Sequence, residues 1–189
     1  MQLDDQSLRQ LITLILSLLR DQNGAVVTGL PAPPEKRKTL FAIFSAPWDN
    51  RFYAFTDCLK RKRDCRLCGF VSPDLPESAM EKLRGLASWE TIRVWDWIIP
   101  EDLESSISVF PVAGRDTIVK TALCISDTFE TKWIRTAMEQ GGRIVLPRCG
   151  FDRFTGSEPE KYKQRVLSYY RDLLEMNVEL PGSFEEYML

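Results

Sequence analysis

The chain has 189 residues, 44% apolar and 28% charged, with a formal net charge of -2, which suits one globular domain plus an appendage and excludes disordered and fibrous classes. No global positive field is available for nucleic acid, and no apolar run reaches the length of a membrane span. The chain contains no histidine, so Ser-His-Asp and Cys-His catalysis and histidine-based zinc sites are excluded.

Five cysteines, an odd number without a disulfide framework, point to a reducing cytosol. The N-terminus lacks the basic region and small-residue cleavage site of a signal peptide, so a cytoplasmic protein is expected. Two short basic runs, Lys36 to Lys38 and Lys60 to Arg63, do not change this, because the second ends a predicted helix, where cations are favoured.

In chain order, residues 5 to 20 place Leu8, Leu11, Ile12, Ile15 and Leu18 or Leu19 on one helical face, which predicts a short amphipathic helix over 1–20. Residues 21 to 38 carry Gly24, Gly29, Pro31, Pro33 and Pro34 and end in charge, the composition of a linker. A sticky helix on such a tether resembles the encapsulation peptides that recruit enzymes into bacterial microcompartments, which would make a shell or cargo protein its partner. The alternative is a helix that packs on its own domain or on a second copy.

The folded domain is expected over 39–189. Thr39 to Phe44 is an apolar run of central-strand length. Trp48, Phe52, Phe55 and Leu59 then recur at helical spacing, with Asp49 near the helix start. Cys65 to Val71 reads as strand two, Leu75 to Leu86 as a helix, Thr91 to Ile98 as strand three and Ile107 to Phe110 as strand four. Cys65 and Cys68, three apart on a strand, face opposite ways and make a poor metal or redox pair. Pro111 to Asp116 forms a polar loop that enters a helix at Thr117.

Ile118, Val119, Ala122, Leu123 and Ile125 define that helix. Phe129, Trp133, Ile134, Ala137 and Met138 define the next, with Asp127 and Glu130 spaced as a capping-box variant. Gly141 and Gly142 stop it before strand five, Arg143 to Leu146. A polar and aromatic loop, Pro147 to Gly156, leads to a last helix, Pro159 to Met176, expected to bury Tyr162, Val166, Tyr170 and Leu173 or Leu174. This alternation predicts a single α/β domain, a three-layer, doubly wound, Rossmann-like parallel sheet. Ligands in such folds sit at the carboxyl edge of the sheet.

The stretch P-V-A-G-R-D-T-I-V-K-T-A-L-C-I-S-D, residues 111 to 127, with Thr128 to Lys132 after it, resembles the flavoproteins related to cysteine decarboxylases. That family includes phosphopantothenoylcysteine decarboxylase, flavin prenyltransferase and dihydromethanopterin reductase-like proteins. The resemblance implies FMN as cofactor and a homo-oligomer, a trimer or a multiple of it. It also implies a binding crevice made by Ser45, Ala46, Ser72, Pro111, Val112, Ala113, Arg115, Asp116 and Thr117. Ser45 and Ser72 would face the phosphate, and Arg115 and Asp116 the isoalloxazine ring.

Three departures qualify it. Asp116 stands where the reductase-like branch has Asn, the first loop reads Ser45-Ala46-Pro47 without a glycine, and the first helix has Asp49 or Asn50 where decarboxylases have a histidine. Without the flavin role, Asp116 reads as a helix N-cap and Arg115 as a surface ion pair. The function expected is a flavin-dependent redox or electron-transfer step, with a flavin-free assembly protein and a cysteine decarboxylase-like enzyme as alternatives. Cys149 lies in a strand-end loop near the site, and Phe151 or Phe154 is a candidate to cover a neighbouring subunit's flavin.

Overall fold

The computed structural model describes residues 38–61, 64–96, 98–100 and 103–186. The helix and most of the linker expected before residue 38 lie outside the described residues. Lys38 itself opens the first strand rather than ending the linker.

Five parallel strands form one sheet in the order β3-β2-β1-β4-β5. They are β1 (Lys38–Phe44), β2 (Cys65–Val71), β3 (Thr91–Val94), β4 (Ile107–Val109) and β5 (Arg143–Val145). The helices are α1 (Arg51–Leu59), α2 (Glu77–Arg84), α3 (Arg115–Ala122), α4 (Phe129–Glu139) and α5 (Glu160–Glu175). This is the doubly wound α/β architecture, and strand order reverses between β1 and β4.

The period of two along β1 builds both cores. Leu40, Ala42 and Phe44 face α1 and α2, where Phe52, Phe55, Leu59, Met80 and Leu83 are buried. Phe41 and Ile43 face the other layer, where Ile118, Phe129, Trp133, Ile134 and Leu173 are buried. Cys68 belongs to the second core while Cys65 packs against the first, so the two thiols lie on opposite faces of the sheet. The second core is centred on Trp133, edge-on to Phe41 at 5.6 Å and tilted on Phe70 at 4.6 Å. Its indole Nε1 donates to the buried Ser108 hydroxyl at 2.8 Å, which satisfies both polar atoms.

Several elements differ from expectation. The third strand stops at Val94, because β2 ends opposite it and the Trp95 N–H takes the last ladder position, on the Val71 carbonyl at 2.9 Å. Trp95 then turns inward onto Phe129. α3 ends at Ala122 and Cys124 adopts a φ of 57°, so Leu123 and Ile125 are exposed rather than core. α4 is capped by Thr128 and Thr131, whose hydroxyls each accept the other's backbone N–H, and not by Asp127 and Glu130. Tyr162 is 44% exposed while Val166 and Leu173 carry the buried stripe of α5. Gly141, with φ 73°, ends α4 as the glycine signal indicated.

Candidate functional site

Because β1 and β4 are neighbours whose following helices lie on opposite faces, the loops at their carboxyl ends diverge and leave a crevice. A cleft of about 450 Å³ occupies it, within the range of small-molecule sites. One wall is the loop after β1 and the first residue of α1, with Ser45, Ala46, Pro47, Asp49 and Arg51. The other is the start of α3, with Val112, Gly114, Arg115, Asp116 and Thr117.

The first wall is held by charge. Asp49 accepts from the Arg51 backbone N–H at 2.8 Å and from the Arg51 guanidinium at 2.9 and 2.7 Å, and these hydrogen bonds hold the Asp49 carboxyl below the usual carboxylate range. Arg51 Nη1 also donates to the Phe151 carbonyl at 3.0 Å, so one side chain ties the β1 loop to the β5 loop. The Ser45 Oγ is buried with no hydrogen-bond partner among the described residues. A buried hydroxyl without a partner is costly.

The second wall differs from expectation. α3 begins at Arg115, with Gly114 at the N-cap position and no side-chain cap of its own. Asp116 is therefore not the cap: it sits exposed inside the first turn. The capping role falls to Asp152 from the β5 loop, whose Oδ2 accepts the Arg115 N–H at 2.8 Å. Arg115 makes no ion pair among the described residues. Its guanidinium stacks on Phe154 at 4.9 Å and Tyr162 at 5.8 Å and donates weakly to the Tyr162 hydroxyl at 3.4 Å.

Of the residues predicted for the site, Ser45, Ala46, Val112, Arg115, Asp116 and Thr117 line the cleft. Pro111 and Ala113 are buried behind it, with the Ala113 N–H on the Gly150 carbonyl at 3.1 Å. Ser72 does not reach it; its hydroxyl accepts the Asp74 N–H at 3.3 Å and shapes the turn after β2. Phe151 is buried on Tyr170 and so is not an exposed aromatic. Cys149 lines a smaller cavity of about 380 Å³ that shares Arg51 and Asp152 with the cleft, and burial pushes its thiol pKa up. The sequence reading missed Arg51 and Asp152. The available signal for Asp152 was its place in the loop after β5, at the same edge of the sheet.

The cleft is not a cationic pocket. Arg51 is neutralised by Asp49 and Lys120 by Asp127. That leaves Arg115 against Asp116, Glu130 and Asp152, none of which has an ion-pair partner among the described residues.

Solved structures share this architecture. The FMN-dependent cysteine decarboxylase TvaF from thioviridamide biosynthesis superposes with a TM-score of 0.54 at 16% identity, over 79% of this chain and 93% of that one. This chain has the fold of the FMN-dependent cysteine decarboxylases. A dodecameric FMN-dependent UbiX-like decarboxylase from Escherichia coli O157:H7 matches at TM-score 0.55 and 14% identity, over 77% and 80% of the two chains. AnUbiX, in complex with FMN and dimethylallyl pyrophosphate, matches at 0.53 and 11%, over 80% and 86%. No protein-family model and no curated protein sequence matches this chain. Its likeness to the decarboxylase fold therefore lies in the path of the backbone. No helix among the described residues is long and apolar enough to cross a membrane, and no cluster of three metal-ligating side chains occurs among them.

Proposed function

We propose that this chain is an FMN-binding flavoprotein whose cofactor occupies the cleft between β1 and β4. The observation that carries the reading is the buried Ser45 hydroxyl, without a partner among the described residues, in a crevice of about 450 Å³ of this fold. A phosphate oxygen satisfies such a hydroxyl, and Ala46, Pro47 and Val112 supply apolar surface for a ring. Asp116 and Thr117 add first-turn N–H groups of α3, which have no intrahelical acceptor. Pro111 and Ala113 back this wall, and Ser72 fixes the neighbouring turn.

When bound, FMN supplies a ring that takes up and returns electrons. Arg115 holds a cation at one side of the cleft, and the Arg51 bridge keeps the two loops at a fixed separation. We assign the flavin to a redox or electron-transfer step. A decarboxylase role accords with the names of the fold neighbours, and the acid-base work would then fall to carboxylates because the chain has no histidine. A flavin-free assembly protein is the reading favoured by the excess of carboxylates around Arg115. Self-association as a homo-oligomer, and docking of residues 5–20 on a microcompartment shell or cargo protein, belong to the same proposal.

The test is a visible spectrum of the purified protein, repeated after FMN is added and the excess removed. Bands near ~370 and ~450 nm that stay with the protein support the reading; a colourless protein in both cases sinks it and leaves the assembly role. Carbon dioxide release from a Cys-terminated peptide, set against flavin reduction by NADH, then separates decarboxylase from redox enzyme. Deletion of residues 1–20 without change in assembly or localisation removes the docking role.

A further inference from the structure

After α5 the chain crosses from one core to the other around the β5 edge of the sheet. Asn177, with φ 61°, turns it out of the helix, and Val178 is buried in the core that holds Trp133. Glu179 then pairs in parallel with Val145. The Leu146 N–H donates to the Glu179 carbonyl and the Glu179 N–H to the Ile144 carbonyl, both at 2.9 Å. Two residues on, the Pro181 carbonyl accepts the Arg148 N–H at 2.8 Å. Phe184 enters the opposite core, edge-on to Phe55 of α1 at 5.5 Å. Cys58, three residues along that helix, shares its face and is buried in the same core.

This crossing holds a loop that has few other supports. β5 is three residues long and pairs with one strand, β4. The loop after it supplies the Gly150 carbonyl to the Ala113 N–H and the Asp152 carboxylate to the Arg115 N–H. The Arg51 guanidinium grips that loop at the Phe151 carbonyl, and the terminal segment grips it at the Arg148 N–H. Beyond Pro181 the segment is fastened to α1 by one buried ring, Phe184, and by an ion pair of Glu185 with Arg61 at 3.4 Å whose side chains are 68% and 71% exposed. Exposed pairs contribute little, so Phe184 is the anchor.

We propose that residues 178–186 form a strap, latched by Phe184, that opens as one unit while the sheet stays folded, and whose closure seats the loop after β5 against the cleft. The strap works in this way whichever ligand the cleft takes. By linkage, a ligand held by that loop tightens the strap.

The test is native-state hydrogen exchange of the full chain in low urea. The Leu146, Arg148 and Glu179 amides are expected to share one opening equilibrium, with a urea dependence well below that of the slowest amides of β1, which report global unfolding. Alkylation of Cys58 by iodoacetamide, followed by peptide mass spectrometry, reads the same opening. Phe184→Ala raises the open population about a hundredfold, through the lost burial of the ring. The three amides and that of Ala113 then lose protection together, and Cys58 reacts faster by the same factor. Phe184→Leu keeps an apolar anchor and returns most of both. Exchange of the three amides only with global unfolding, or at unrelated rates, overturns the proposal, as does Ala113 or Cys58 unmoved by Phe184→Ala. If Phe184→Ala does not fold, the wild-type urea series decides by itself.

Discussion

Arg51 and Phe151, one hundred positions apart in the chain, are joined by a 3.0 Å hydrogen bond from the Arg51 guanidinium to the Phe151 carbonyl. The same guanidinium is held by Asp49 through two further bonds. The bond links the segment after β1 to the loop after β5 across the end of the sheet, and so ties one wall of the cleft to the loop whose Asp152 accepts the Arg115 N–H of the other.

Arg51→Ala removes that link and leaves the Asp49 carboxylate without its cation. The two side chains are about a third exposed, 32% and 27%, so solvent screens part of the interaction, and a loss of about 1–2 kcal/mol is expected. In urea unfolding the midpoint falls while the slope stays the same. An unchanged midpoint would show that the two loops hold their places without the bridge.

The pair has a pH signature. The folded-state pKa of Asp49 is depressed, chiefly by its side-chain hydrogen bond from Arg51. The stability it contributes is therefore fully present above the unfolded value of about 3.9 and is lost as pH falls through the lower, folded value. The stability gap between wild type and Asp49→Asn is expected to be flat from neutral pH into the mildly acidic range and to close only below about pH 4. Equilibrium unfolding of both proteins across that range checks it; a gap that closes near neutrality contradicts the assignment.

Trp133 is fully buried among Phe41, Phe70 and Phe129 and satisfies Ser108. Trp133→Ala is expected to cost about 3–5 kcal/mol through cavity formation and to leave the Ser108 hydroxyl unpaired. Trp133→Phe keeps most of the packing, and combining it with Ser108→Ala tests the hydrogen bond. If the double variant is as unstable as the sum of the singles, the indole and the hydroxyl are not coupled.

Gly150 marks where the β5 loop passes the β4 loop. A Cβ there would collide with the carbonyl of Pro111, a backbone group that cannot swing aside. Gly150→Ala is expected to push Phe151 and Asp152 away from α3, breaking the Asp152 contact with Arg115. Faster hydrogen exchange at the Arg115 amide reads this directly, and unchanged protection would mean that the loop absorbs the methyl group elsewhere.

Much of the architecture was legible in local pattern. β1 is a continuous apolar run from Leu40 to Phe44, α4 repeats its aromatic residues at helical spacing, and Gly141 stops that helix; each signal lies within a few residues of the element it specifies. The ends of elements were less legible where a neighbour sets them. β3 is short because β2 runs out opposite Val94, and α3 starts at Arg115, whose N–H is accepted by Asp152 from 37 positions away, where a helix entered at Thr117 behind an Asp116 cap was expected.

By itself the sequence determined the parallel α/β sheet, its strands, and the loop from Pro111 to Thr117 as a wall of the crevice, because apolar periodicity and glycine and proline placement act locally. The tertiary structure alone decided which distant groups meet there. It put Asp152 on the first turn of α3, tied Arg51 to Phe151, turned Ser72 away and left the Ser45 hydroxyl buried without a partner among the described residues. Those relations depend on how chain segments far apart in sequence cross at the sheet edge, and no local propensity encodes that crossing.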